Sequence, residues 1–219
     1  MAILQKEIDK LKESILYVGT LVEENFLGAI ESINNNDIDS AQEVIKKDKE
    51  IDLKEIEVEE ECLKILALHQ PVAIDLRFII AVLKINNDLE RIGDLSCNIA
   101  KRTIALSKLP SIIIPKEILE MAKIVQQMIK ESLDSLVELD ITLAKKVCVD
   151  DDKVDEIHCG IYPFVESKIN EEPDKKTQWI QLLGISRYLE RSADHCTNIA
   201  EDVEYLINGV IHRHSSKID

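Results

Sequence analysis

Apolar residues recur every three or four positions along most of this chain. In residues 89–100, a turn of about 100° per residue places Ile92, Leu95 and Ile99 on one side, while Glu90, Asp94 and Asn98 gather within about 80° on the other. This is the signature of a helix with one face in a core and an oxygen-rich stripe turned away from it. The interruptions are few and regular. Asn34-Asn35-Asn36-Asp37 ends a first helix of about 2–33 and offers Asp37 as the N-cap of a second, its carboxylate accepting from the first free amides. Gln70-Pro71 stops the second helix near residue 69, since proline has no amide to donate, and a third helix runs over about 72–107. The second half repeats the plan: a helix over about 116–138, Asp140 as N-cap of a helix to about 171, a break at Glu172-Pro173-Asp174, and a helix to about 207 closed by Asn208-Gly209.

The two halves are copies. Residues 89–100 match residues 189–200 at seven of twelve positions, 100 apart, and Asp37, Asp48 and Asp52 recur as Asp140, Asp151 and Asp155 at a constant spacing of 103. Helices of about 30 residues are ~45 Å long and suit antiparallel bundles joined by short turns. The expected fold is therefore all-α, two tandem pseudo-repeated three-helix bundles, with a first unit of residues 1–108, a linker of residues 109–115 (Leu109-Pro110-Ser111-Ile112-Ile113-Ile114-Pro115) and a second unit of residues 116–219. Only 4% of residues are aromatic, and the chain is rich in Ile, Leu, Glu, Lys and Asp, which also argues for helices over sheets.

A net charge of -15 repels a phosphate backbone, so nucleic acid is not an expected partner; cations and basic surfaces are. The five cysteines contain no CxxC, so neither a disulfide framework nor a thiolate zinc site is expected, and Cys97 and Cys196 read as small core residues. The opening Met1-Ala2-Ile3-Leu4 lacks a secretory apolar region, and a cytoplasmic location is expected.

What the copies share outside their apolar positions is acidic, and acidic pairs point to metal. Asp48 with Asp52, and Asp151 with Asp155, are i,i+4 pairs, each projecting two carboxylates from one helix face; Glu90 with Asp94, and Glu190 with Asp194, do the same on the third and sixth helices. Asn198 and Glu201 extend the sixth-helix stripe. Oxygen donors from two adjacent helices are what a hard cation requires. The bland alternative is that these are solvated acidic faces. Arg91 and Arg191 read as ion-pair partners for a neighbouring helix, and His195, whose counterpart is Leu95, as a polar surface residue. Asp155 and His158 form a D-x-x-H, but a carboxylate-bridged metalloenzyme needs a Glu-x-x-His on each of two helices, and no second such pair exists. No phosphate loop, G-x-S-x-G or HExxH is present, so an enzyme is not expected.

The string Leu66-Ala67-Leu68-His69-Gln70-Pro71-Val72-Ala73-Ile74-Asp75-Leu76-Arg77, with the two Leu-Glu-Arg-x-x-Asp strings at 89–94 and 189–194, resembles the PhoU family of phosphate-uptake regulators over essentially the whole chain. The resemblance implies two three-helix bundles carrying metal ions (iron, zinc, manganese or magnesium), singly or in clusters, on E(D)-x-x-x-D motifs. Here those motifs are Asp48 with Asp52, Glu90 with Asp94, Asp151 with Asp155 and Glu190 with Asp194. It implies a cytoplasmic, non-enzymatic, homodimeric repressor of the phosphate regulon that links the ATPase subunit of a phosphate ABC transporter to a membrane sensor histidine kinase. A regulator of another ion transporter is the alternative within the same architecture. The second copy departs from the pattern, with Ser192-Ala193 where the family reads Ile-Gly, and equal metal affinity of the two halves does not follow.

Overall fold

Asp37 and Asp140 each start a helix by the same contact. Asp37 Oδ1 accepts from the amides of Asp39 (2.9 Å) and Ser40 (3.1 Å), and Asp140 Oδ1 from those of Thr142 (2.7 Å) and Leu143 (3.2 Å). A computed structural model describes residues 2–209. It contains α1 (Ala2–Asn35), α2 (Ile38–His69), α3 (Ala73–Ser107), α4 (Lys116–Glu138), α5 (Ile141–Glu171) and α6 (Lys176–Asn208), with no strand among the described residues. Each interruption read from the sequence falls between helices. Gln70 takes a left-handed conformation after His69, and Gly209 closes α6 at φ 70. Two details differ from expectation. The break at Pro173 is a single 3-10 turn, Pro173–Lys175, and Pro163 lies inside α5 without ending it.

α1, α2 and α3 pack as one bundle and α4, α5 and α6 as another, so the all-α pair of three-helix bundles is what the chain forms. The bundles do not stand apart. α3 lies antiparallel along α6, and one continuous buried cluster runs from Phe26, Ile51 and Ile85 to Met121, Val154 and Leu189. α1 also meets α4, at Gly19, where a Cβ would lie 2.6 Å from Leu133 Cδ2, so a larger residue there would have to displace the Leu133 side chain.

The α3–α6 seam relates the halves by an approximate twofold axis. Lys84 meets Asp202, and Arg102 meets position 184; with a repeat of 100 residues each contact is the image of the other. Exact repetition would set Lys84 against a second arginine. The second copy instead has Asp202 where the first has Arg102, giving a 2.7 Å ion pair with Lys84. It also has Gly184 where the first has Lys84, because a Cβ there would collide with the Arg102 guanidinium.

Candidate metal centre

In the first bundle α2 and α3 run antiparallel, which brings the Asp48–Asp52 face of one against the Glu90–Asp94 face of the other. Asp48 Oδ1 would lie 3.4 Å from a Cβ on Gly93, so the absent side chain leaves the carboxylate open toward α3. That oxygen is buried and has no hydrogen-bond partner. Burial raises the Asp48 pKa, and the charges of Asp52 and Asp94 raise it further, against the Cys97 thiol and Lys101. Glu90 is likewise raised, by burial and then by Asp94, with Arg91 opposing and Asp52 and Glu55 adding to the rise.

The second bundle repeats the arrangement between α5 and α6 in sharper form. Asp151 Oδ1 is buried with no hydrogen-bond partner, and burial, followed by the charges of Asp155, Asp194, Asp152 and Glu190, pushes its pKa from 3.8 up to about 7. Glu190 is raised by burial, Asp194 and Asp155, with Arg187 and Arg191 in opposition. The neighbouring Asp150 shows what compensation looks like. Burial would raise it too, yet Lys153 at 2.6 Å and Lys146 at 3.0 Å hold it below the usual range. Among the described residues Asp151 has no such cation.

All eight sequence-selected carboxylates thus fall into two groups of four, each spanning two helices. As the side chains stand, no three His, Cys, Asp or Glu among the described residues converge closely enough to enclose an ion. The family model for the PhoU domain matches residues 5–103 and again 118–203, one match per bundle. The chain belongs to the PhoU family. It is 39% identical over 211 residues, 96% of each chain, to the "Phosphate-specific transport system accessory protein PhoU homolog" of Aquifex aeolicus, and 36% identical to that of Clostridium acetobutylicum, over 94% of this chain and 95% of the relative. The crystal structure of PhoU from Pseudomonas aeruginosa superposes with a TM-score of 0.91 at 34% identity, covering 94% of this chain and 99% of that one. The phosphate transport system regulatory protein PhoU from Streptococcus pneumoniae gives 0.84 at 28%, covering 95% and 98%.

Within this PhoU fold the donors suit a hard cation. They are all carboxylates, paired across two helices, and among the described residues the first group leaves two buried oxygens without a hydrogen-bond partner, Asp48 Oδ1 and Glu90 Oε2, and the second leaves one, Asp151 Oδ1. The halves are not identical around these groups: Cys97 and Lys101 have Thr197 and Glu201 as counterparts, Asp152 has Lys49, and Ala193, fully buried, stands where the first half has Gly93.

Other residues go elsewhere than the sequence suggested. Arg91 makes its close ion pairs on its own helix, with Glu90 at 3.3 Å and Asp94 at 3.1 Å, and reaches the neighbouring α2 only through its longer-range attraction for Glu55. His195 is not a free surface residue; its Nδ1 lies 2.7 Å from Asp88 Oδ1 across the seam, where Asn198 Nδ2 also donates at 3.2 Å. Asn198 therefore serves the contact between bundles. His158 is buried, its Nδ1 is 3.1 Å from Ser186 Oγ, and burial lowers its pKa. Cys97 and Cys196 are buried as expected. The signal for the seam was present but unread: Asp88, His195 and Asp202 are all places where one copy departs from the other.

Proposed function

We propose that the chain is a metal-binding regulator of phosphate uptake that acts in the cytoplasm as a homodimer. It connects the ATPase subunit of a phosphate ABC transporter to a membrane sensor histidine kinase and represses the phosphate regulon while phosphate is plentiful. Family membership and the relatives' designation as accessory proteins of the phosphate-specific transport system support the phosphate link. The observation that carries the metal part is the duplicated cluster in which a buried carboxylate oxygen, Asp48 Oδ1 or Asp151 Oδ1, has no donor.

Asp48, Asp52, Glu90 and Asp94 would hold one centre, and Asp151, Asp155, Glu190 and Asp194 the other. A cation bound there supplies positive charge and ties α2 to α3 or α5 to α6. Without it, burial and the neighbouring carboxylates push the Asp151 pKa up to about 7 and favour its protonated form. The buried thiols are not activated for nucleophilic work, since burial pushes Cys62 up to about 12 and raises Cys97 and Cys196 as well. That supports a regulator rather than an enzyme. No helix among the described residues is long and apolar enough to cross a membrane, so contact with membrane clients would run through protein surfaces.

The test is transcription in a deletion strain. Loss of the gene should derepress phosphate-starvation genes in phosphate-rich medium. Unchanged expression would favour the second reading, a regulator of another ion transporter.

A further inference from the structure

Where α1 and α3 begin and α4 and α6 finish, a cavity of about 480 Å³ opens between the two bundles. Its floor includes Ile8, Ile15, Phe78 and Leu206, all buried, and its rim exposes Ile74, Val137 and Leu139, each more than half accessible. An apolar rim around an apolar floor is a surface that a monomer gains by covering.

The approximate twofold axis carries this groove onto the opposite end of the molecule, where α4 and α6 begin and α1 and α3 finish. There the chain partly covers it with its own linker, leaving a cavity of about 350 Å³. Ile112 and Ile114, two residues apart in an extended segment, pack against the core beside Ile33 and Leu106. Gln178, buried at 2%, donates from Nε2 to the Pro110 carbonyl at 3.2 Å. The counterpart of Gln178 is Phe78 on the floor of the open groove. Related grooves thus occur at both ends, and the partly covered one shows what fits: an irregular segment with branched aliphatic side chains at alternate positions, Ile112 and Ile114.

Charge distinguishes the open copy. Lys12 Nζ sits 5.4 Å from the Phe78 ring centroid, and Arg77 Nε is buried without a hydrogen-bond partner, while Asp75 is the carboxylate lining this groove. On a chain of net charge -15, two cations beside one apolar groove are complementary to an acidic segment. Residues 210–219 of this chain carry Arg213 and Lys217 against the single Asp219, and their branched aliphatic residues Val210, Ile211 and Ile218 do not fall at alternate positions, so they are the poorer match.

We infer that this groove docks an extended segment of a partner protein, with two branched aliphatic residues at alternate positions and a flanking acidic residue that pairs with Lys12 and Arg77. The inference rests on the adaptor reading for there being a partner at all, but it needs neither metal nor phosphate.

The experiment is fluorescence polarisation of a fluorescein-labelled peptide that copies residues 111–115 with an aspartate added at each end, titrated with the full chain in chelator. Saturable binding is expected. Val137→Glu on the exposed rim, Arg77→Glu, and exchange of the peptide's first and third isoleucines for serine should each weaken it at least tenfold, with far-UV circular dichroism of the protein variants unchanged. No saturable binding to the full chain, or binding indifferent to all three changes, overturns the proposal. Binding that occurs only after deletion of residues 210–219 also overturns it and assigns the groove to the chain's own terminus. Because metal is absent throughout, failure here is distinct from failure of the metal reading.

Discussion

Removing the negative charge of Asp151 should stabilise the metal-free protein, and by an amount that depends on pH. In the fold, burial and the charges of Asp155, Asp194, Asp152 and Glu190 raise its pKa to about 7, whereas the unfolded chain ionises near 3.8. A raised carboxylate costs nothing below 3.8, where both states are protonated. The penalty then grows as pH rises and is complete above about 7, where the folded state must also ionise. At about 1.4 kcal/mol per pH unit, that gap corresponds to an upper bound of about 4 kcal/mol. Solvent reaching the partly exposed side chain should reduce it to about 1–3 kcal/mol. Asp151→Asn keeps the shape and removes the charge. Urea unfolding in EDTA should therefore show the variant to be nearly equal to the parent at pH 4.5, more stable at pH 6, and most so at pH 8. With Mn²⁺ at 100 times its dissociation constant, the parent should gain about 2.7 kcal/mol more than the variant, which keeps only the first-half centre. A variant that is neutral or less stable in EDTA at pH 8 would refute the claim that Asp151 is held as an uncompensated buried carboxylate.

Three further outcomes are expected. Gly184→Ala should expel the Arg102 guanidinium from its contacts with Gln181 (2.7 Å) and Tyr188 (3.3 Å) and cost about 1–2 kcal/mol, a loss that a double-mutant cycle with Arg102→Ala would show to be shared. Asp140→Ala should cost about 1 kcal/mol in thermal or urea unfolding by removing the cap of α5, with no change in bound metal. Gly93→Ala should weaken metal binding in the first half and Ala193→Gly should strengthen it in the second, as read by calorimetric titration, because the methyl faces the buried carboxylate.

The helices were legible because their ends are written in residues with one local meaning. Asp37 and Asp140 cap, Pro71 and Pro173 have no amide to give, and Gly209 takes the left-handed turn; none of these depends on tertiary context. Pro163 shows the limit, since the packing of α5 carries the helix past a local breaker. The acidic groups were legible as pairs on single helices, and the antiparallel order of α2 and α3 and of α5 and α6 then brought pair to pair. The seam was not legible, because it depends on a relation between halves that a helical wheel does not contain. His195 looked like a surface residue until Asp88, from the other bundle, was opposite it. Arg91 was assigned to a neighbouring helix, but the nearest carboxylates were those of Glu90 and Asp94 on its own.

Metal content measured against the two carboxylate groups separately tests the central claim most directly. The parent protein, purified without chelator and analysed for iron, zinc, manganese and magnesium, should carry metal; Asp94→Ala should lose the first-half share, Asp194→Ala the second-half share, and the double variant most of the total. Far-UV helicity should survive all three, because the ligands lie on helix faces outside the core. Full metal stoichiometry in the double variant, or a metal-free parent that stays metal-free in excess Mn²⁺ and Fe²⁺, would contradict the account.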